Sequence, residues 1–320
     1  MERLIIEKPG KIGFTEFQIK SLTDNQALAK TLYSGLSHGT EMHAYRGLDT
    51  SSYPCGTGYS NVGEIIEVGN NVKNASIGDL VFAYSGHATY FAIDDTNLFK
   101  LPDGLTPQAG VFLALLGVAY NGILEARIVL GETVVVFGLG VVGQLVCQLA
   151  RLSGAGQIIG IDPIELRRQK AKEFSADFVF DPTKVDVAKE VKNLTEGLGA
   201  DIAIESSGVT SALNEAIKVV RMYSPVVVLS WYSGGSPDLY LGREFHFNKV
   251  KLLQAQGGGV NPELLARWTH ERKIKSSLAI MPKLRLNELI THVINFADAQ
   301  IAYDLVDKNP QETIQVVLKY

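Results

Sequence analysis

The chain has 320 residues, of which 46% are hydrophobic and 20% are charged, and its formal net charge is -4. This is enough material for a large core and two domains, while the mildly acidic balance argues against nucleic acids and anionic membranes as partners. The two cysteines, Cys55 and Cys147, exclude a disulfide framework and a four-cysteine zinc site. Because the first residues are too charged for a signal peptide, we expect a cytoplasmic protein that acts on a small molecule.

Residues 1–115 contain short apolar and polar runs that alternate between glycine-rich or polar turns. This pattern is typical of a small, mostly antiparallel β domain. The expected strands are at residues 12–19, 26–34, 61–68, 79–83 and 87–92. Residues 105–130 then change to a helical spacing, with Pro107 near a helix start, and a domain boundary is expected there.

Helices and strands alternate from residue 116 to residue 257. Helices are expected at 165–174, 185–194 and 211–222, and strands at 134–137, 157–161, 178–180, 201–205, 226–229 and 252–255. Such alternation predicts a doubly wound parallel sheet of the α/β class. The remaining residues, 258–320, are too few for an independent domain, and we expect them to return to the first one.

A glycine pattern follows directly after the expected strand at 134–137. Gly138, Gly140 and Gly143 form Gly-x-Gly-x-x-Gly, which permits a tight turn, the approach of the backbone to a pyrophosphate, and close packing of helix on strand. The helix that begins there would present its N-terminus to an anion. The predicted cofactor-binding residues therefore include Gly138, Leu139, Gly140, Val141, Val142 and Gly143.

Asp162 ends the next expected strand, nineteen residues after Gly143. A carboxylate at this position accepts hydrogen bonds from an adenosine ribose and repels a 2′-phosphate, which favours NAD over NADP. Arg167 and Arg168 lie just downstream and could tolerate a phosphate, so NADP stays open, as does a structural βαβ unit without nucleotide. The predicted cofactor set is completed by Arg167 and by residues near the ends of later strands: Ser206, Ser230 and Gln256.

Three further motifs accompany the glycine turn: SHGTEMHAYRG at 37–47, GYSNVGEIIEVG at 58–69 and GDLVF at 78–82. Together they resemble the medium-chain dehydrogenase/reductase superfamily over the whole chain. The resemblance implies a GroES-like β domain (1–115), a Rossmann domain (116–257) and a return to the first domain (258–320). It also implies a nicotinamide cofactor in a cleft between the domains, and a homodimer that pairs through a strand near residues 238–241.

The metal-binding positions of zinc-dependent superfamily members are changed in this chain. Where those relatives have a cysteine, a histidine and a second cysteine or an acid, this sequence has His38, Tyr59 and Ala114. Since a catalytic zinc needs three protein ligands, we predict no metal, although a rearranged site with His38, Glu41 or His43 stays open. Residues 58–60 and 242–246, followed by Gln256, resemble the zinc-free branch that includes the hydroxyethyl bacteriochlorophyllide dehydrogenases.

The resemblance also implies how the reaction could proceed without metal. Thr40 and His43 match the hydroxyl and the histidine that relay a proton to solvent in zinc relatives, and a histidine that titrates near neutrality suits that role. Tyr59 would approach the substrate oxygen as a donor or, when ionised, as an acceptor, and His38 would orient Tyr59 or Thr40. The alternative for each of these residues is an ordinary structural role in a turn or core.

The predicted function is an NAD-dependent dehydrogenase that interconverts a secondary alcohol and a ketone of a biosynthetic intermediate, without zinc. The first alternative is a quinone or enone reductase that uses NADPH. The second is a nucleotide-binding relative without turnover.

Overall fold

A computed structural model of the chain describes residues 1–48, 52–232, 235–236 and 238–320. The chain forms two compact units: Met1–Ala114 with Leu278–Tyr320, and Leu115–Ser277. Among the helices of the described residues, none is long and apolar enough to cross a bilayer.

The elements are bounded as follows. The strands are β1 (Glu2–Lys8), β2 (Lys11–Glu16), β3 (Gln26–Gly35), β4 (Cys55–Gly56), β5 (Asn61–Val68), β6 (Leu80–Ala83), β7 (Tyr90–Asp94), β8 (Phe99–Lys100), β9 (Thr133–Phe137), β10 (Gln157–Ile161), β11 (Phe178–Phe180), β12 (Ile202–Glu205), β13 (Pro225–Val228), β14 (Lys251–Gln254), β15 (Ile290–Asn295) and β16 (Gln315–Lys319). The helices are α1 (Thr40–Arg46), α2 (Pro107–Gly110), α3 (Leu113–Ala126), α4 (Val141–Leu152), α5 (Glu165–Phe174), α6 (Val187–Leu194), α7 (Thr210–Val219), α8 (Glu244–Phe247), α9 (His270–Ile280) and α10 (Ala299–Lys308).

The first unit contains two sheets. One has the order β2-β1-β4, and the other has the order β15-β16-β3-β5-β6-β8 with β7 paired to β3. Their pairs are antiparallel except for β15 and β16, which are parallel. Because β16 pairs with the end of β3, the C-terminal residues support the segment that leads from β3 into α1. Met42 and Tyr45 of α1 pack in one core with Tyr303 of α10.

The second unit has one six-stranded parallel sheet with the order β11-β10-β9-β12-β13-β14. This is the predicted doubly wound sheet, whose strand order reverses between β9 and β12. The side chains of Val134, Val135 and Val136 are 0% exposed, as expected for a central strand that is covered on both faces.

Two expectations from the sequence are corrected. The return to the first unit begins at Leu278 rather than at residue 258, because residues such as Asn261, which donates to Glu125 at 2.8 Å, are tied to the second unit. Residues 238–241 are not a strand. Instead, the Asn214 side chain donates to the Asp238 carbonyl and accepts from the Tyr240 amide, both at 2.9 Å, and these bonds fix an irregular turn.

Candidate functional site

The glycine turn of the second unit lies between β9 and α4. A side chain at Gly138, where φ is +80°, would approach Ser207 to 2.8 Å, and one at Gly143 would approach the Gly138 carbonyl oxygen to 1.8 Å. At Gly140 the space is open, and the nearest atom is Arg167 Nη1 at 3.9 Å. Gly140 is the N-cap of α4, whose first amides lack intrahelical partners. The turn can therefore receive a phosphate group.

Asp162, just after β10, is 3% exposed. Its Oδ2 accepts from the Leu139 amide and its Oδ1 from the Ile164 amide, both at 2.8 Å. Arg167 Nη1 lies 3.8 Å from Oδ2, and burial lowers the pKa of Arg167 while the charge of Asp162 opposes that shift. Asp162 is thus a structural anchor of the glycine turn, a role that its position at a strand end did not reveal.

Gln144 was missed by the sequence prediction. It lies on the buried face of α4 and is 1% exposed. Its Nε2 donates to the Leu139 carbonyl at 3.0 Å and to the Arg167 carbonyl at 2.8 Å, so one side chain joins the glycine turn to α5. The available signal was a buried pair of polar residues, Gln144 and Gln148, one turn apart in a largely apolar helix.

The loops after β12 and β13 meet at a second buried carboxylate. Glu205 is 0% exposed, and its Oε1 accepts from the Ser207 amide at 2.6 Å and the Gly208 amide at 3.2 Å. The Tyr232 hydroxyl donates to Oε2 at 2.5 Å, and burial together with the Glu205 charge raises the pKa of Tyr232. The sequence prediction did not include Glu205 or Tyr232.

The structure places the other predicted cofactor residues at this same edge of the sheet. The Ser206 hydroxyl donates to the Phe137 and Gly138 carbonyls at 3.1 and 2.8 Å, so it is engaged with the turn itself. Ser230 follows β13, and its Cβ is 3.9 Å from the position of a Cβ at Gly208. Gln256 follows β14, and its Oε1 accepts from the Gly258 amide at 2.8 Å.

In the first unit, the Tyr59 phenol lies close enough to the Ser37 and Thr40 side chains for both to act on its pKa. Burial raises the pKa of Tyr59 to about 12, and the nearby charge of Glu41 adds to the shift, although Ser37 and Thr40 oppose it. The phenol therefore stays protonated at neutral pH. His43 lies one turn after Thr40 on α1, and the roles of His43 and His38 stay predictions.

Glu41 is the centre of a buried polar cluster. It is 4% exposed; its Oε1 accepts from the Ser37 amide at 2.8 Å, and its Oε2 accepts from Thr57 at 3.0 Å and Tyr303 at 2.6 Å and lies 2.9 Å from His87 Nε2. Burial alone would raise the pKa of Glu41, but the charge of His87 and these hydrogen bonds outweigh it and lower the pKa. Glu41 is therefore an ionised carboxylate inside the core.

The cluster extends beyond His87. His87 is 0% exposed, its Nδ1 lies 2.7 Å from Ser34 Oγ, and Ser34 Oγ lies 2.9 Å from the Tyr320 hydroxyl. From the sequence, Glu41 was predicted only as a possible metal ligand. Its hydrogen bond with Tyr303 could not be predicted, because 262 positions separate the two residues along the chain.

Two family models match the chain. Residues 23–138 match the alcohol dehydrogenase GroES-like domain, and residues 141–269 match the zinc-binding dehydrogenase domain. D-guloside 3-dehydrogenase of Escherichia coli (strain K12) is 29% identical, with 99% of each chain covered, and sorbitol dehydrogenase of Halalkalibacterium halodurans is 26% identical, with 92% of this chain and 91% of that protein covered. Over both matched domains the chain is similar to the medium-chain dehydrogenase/reductase superfamily.

The crystal structure of 2R,3R-butanediol dehydrogenase from Bacillus subtilis shares the fold of this chain, with a TM-score of 0.84, 22% identity, and 100% and 99% of the two chains covered. The predicted combination of a GroES-like domain and a Rossmann sheet is thereby confirmed. Since its relatives are named dehydrogenases, the protein is an NAD(P)-dependent oxidoreductase that acts on alcohols. It uses a nicotinamide cofactor and a small-molecule substrate.

One matching domain is described as zinc-binding, but the donor atoms at the positions considered for a metal in this chain do not fit a catalytic zinc. Ala114 has no donor atom, the Tyr59 phenol is protonated, and both oxygens of Glu41 accept hydrogen bonds within the core. A catalytic zinc needs three protein ligands. Within residues 1–48, 52–232, 235–236 and 238–320, no three His, Cys, Asp or Glu side chains are grouped closely enough to hold a metal.

Proposed function

We propose that the chain is a zinc-independent, NAD-dependent dehydrogenase that interconverts a secondary alcohol and a ketone of a biosynthetic intermediate. The observation that carries the proposal is the buried Tyr59 phenol, whose pKa is raised to about 12 by burial and which lies close to the side chains of Ser37 and Thr40. A phenol that stays protonated is a hydrogen-bond donor for a substrate oxygen. It can do the work that a metal ion does in zinc-dependent relatives.

Each group near Tyr59 is assigned its own part in the reaction. When bound, the nicotinamide ring supplies the hydride for ketone reduction and accepts it in alcohol oxidation. Tyr59 donates to the substrate oxygen and stabilises the negative charge that develops there. Thr40 holds the phenol in place, and His43 passes the proton outward from the next turn of α1. His38 orients this pair.

Asp162 supports NAD as the cofactor. Its two oxygens each accept one backbone amide, and a carboxylate has about four lone-pair sites, so acceptor capacity is left for the ribose hydroxyls. Its charge opposes a 2′-phosphate. The amides of the glycine turn hold the pyrophosphate, with Arg167 beside them, while Ser230 and Gln256 lie toward the nicotinamide.

The substrate class is proposed from two likenesses. The relatives named above act on a guloside and on sorbitol, which favours a secondary hydroxyl on a polyhydroxylated carbon skeleton. The segments 58–60 and 242–246 resemble the zinc-free branch of the superfamily, which includes the hydroxyethyl bacteriochlorophyllide dehydrogenases. A substrate panel should therefore contain polyols, glycosides and hydroxyethyl pigments, each assayed by the absorbance of NADH.

Two substitutions test the mechanism once a substrate is found. Tyr59→Phe and Thr40→Val should each lower kcat by about 100-fold to 10,000-fold and leave NADH affinity unchanged, because neither lies on the glycine turn. Tyr45→Phe is the matched control, since that phenol bonds Gly10 and Asp304 instead. A change in kcat of less than a few-fold in both variants would reject this mechanism.

Other outcomes would select an alternative function. Strong turnover of enones with NADPH would indicate a quinone or enone reductase. Tight binding of NADH without turnover of any panel member would indicate a nucleotide-binding relative without catalysis.

We also propose that the enzyme is a cytoplasmic homodimer. The strand β14 lies at the edge of the six-stranded sheet and pairs only with β13 in the described chain, so its other edge is available to the same strand of a second copy. A monomer mass in light scattering at micromolar concentration would reject the dimer, and recovery from a secreted fraction would reject the location.

A further inference from the structure

The loop that follows β14 is held by two buried polar side chains from different helices. Asn121 of α3 donates through Nδ2 to the Gln256 carbonyl at 2.7 Å, and Lys273 of α9 donates through Nζ to the Gly257 carbonyl at 3.0 Å. Asn121 is 3% exposed and Lys273 is 2% exposed. Two successive carbonyls of one loop are therefore fixed from inside the protein.

Lys273 is an unusual residue for holding a buried loop. Among the described residues its ammonium group makes this one hydrogen bond and no salt bridge, although it has three N–H donors. Burial lowers the pKa of Lys273. Burying a charge without a paired charge costs free energy. A single hydrogen bond to a loop carbonyl offsets only part of the cost of burying the Lys273 ammonium group.

The loop itself has little freedom. A Cβ at Gly257 would lie 2.9 Å from Val118 Cγ2 of α3, so the backbone is in close contact with that helix. The Gln256 side chain also accepts from the Gly258 amide at 2.8 Å, which closes the turn. The backbone of Gln256 and Gly257 is consequently held by α3, by Lys273 of α9 and by the Gln256 side chain itself.

The position of the loop in the sheet indicates what it meets. A dinucleotide lies across the point where the strand order reverses, which is between β9 and β12. Asp162 marks the adenosine side, beyond β9 and β10. The loop after β14 is on the opposite side of the reversal point, at the carboxyl ends of the strands, where the nicotinamide half lies.

We propose that Lys273 and Asn121 are positioning residues that hold the backbone of Gln256 and Gly257 against the nicotinamide half of the cofactor. The inference rests on the proposed cofactor site and adds to it two side chains outside the glycine turn. Neither residue needs to touch the adenosine half. Their loss should therefore weaken the binding of NADH but not of ADP-ribose, which has the same adenosine, pyrophosphate and second ribose without the nicotinamide.

Calorimetry on the full chain tests this with Lys273→Met and, as a second variant, Asn121→Leu. Each should raise the Kd for NADH by about tenfold, the effect of one well-placed hydrogen bond, and change the Kd for ADP-ribose by less than about twofold. Arg127→Ala is the matched control, because Arg127 lies just after α3 and its side chain forms an exposed ion pair with Glu263 at 2.5 Å. It should leave both constants unchanged.

The outcomes separate this inference from the proposed cofactor site. If the unmodified protein binds neither NADH nor ADP-ribose, the cofactor site itself is wrong. If it binds both, and the two variants weaken both equally or weaken neither, the positioning role is rejected. Thermal melting of each variant identifies one that fails to fold, and the other variant then decides the result.

Discussion

Replacing Asp162 by alanine perturbs the cofactor site at a point where the structure separates two effects. The carboxylate anchors the Leu139 and Ile164 amides at 2.8 Å, and it lies 3.8 Å from the guanidinium of Arg167. Its removal loosens the glycine turn and removes the acceptor for the ribose hydroxyls. It also removes the negative charge of Asp162 from beside Arg167.

The magnitude follows from these contacts. Hydrogen bonds to a charged group contribute about 1.5–3 kcal/mol each, and the substitution should weaken NADH binding by about 1–3 kcal/mol, which is roughly 5-fold to 150-fold in Kd. NADPH should lose less or gain, because Arg167 can then form a charge-assisted hydrogen bond with the 2′-phosphate. The ratio of the two dissociation constants should thus move toward NADPH.

Calorimetry with NADH and NADPH on the unmodified protein, Asp162→Ala and the double variant Asp162→Ala/Arg167→Ala measures both effects. The double variant should lose the relative gain for NADPH while keeping the weakened NADH binding. Tighter binding of NADPH than of NADH by the unmodified protein would refute the role given to Asp162. An unchanged ratio in Asp162→Ala would refute the role given to Arg167.

The remaining predictions concern the first unit and the metal. Tyr303→Phe should lower the free energy of unfolding by about 1.5–3 kcal/mol, because it removes a 2.6 Å hydrogen bond to the ionised Glu41. Denaturant titration should show a smaller loss for Tyr45→Phe, because the carboxylate partner of Tyr45, Asp304, is more exposed. Since the pKa of Glu41 is lowered from 4.5, this contribution is fully present above pH 4.5 and is lost as the pH falls through the lower folded value. Tyr303→Phe should then approach the unmodified protein in stability at acidic pH, and an unchanged difference there would contradict the ionised state of Glu41. Elemental analysis should find far less than one zinc per chain, with activity that survives a chelator; stoichiometric zinc would contradict the metal-free mechanism.

The second unit could be predicted closely because its signals are local. The helix at 165–174 and the strand at 178–180 have the expected bounds in the structure, since periodicity over ten residues and short β-branched runs depend on neighbours in sequence. The glycine turn was equally accessible, because Gly138 and Gly143 sit where no side chain fits. Here local pattern and global fold agree.

What the sequence could not supply were contacts between distant residues. Glu41 and Tyr303 are 262 positions apart, and a lone tyrosine in a late helix gives no sign of a buried carboxylate partner. Lys273 resembles any surface lysine in sequence, yet it is 2% exposed. The family resemblance implied a strand near residues 238–241, but bonds from Asn214 hold these residues in a turn.

Three buried carboxylates have the same structural role, because each accepts the backbone amide of a nearby loop. Glu41, Asp162 and Glu205 are 4%, 3% and 0% exposed, and each accepts an amide of a loop that leaves β3, β9 or β12. In each case both carboxylate oxygens act as acceptors. An asparagine or glutamine would turn an N–H group toward one of these donors, leaving it unsatisfied in the interior. An acidic side chain is therefore required by the loop itself, whether or not it also contacts a ligand.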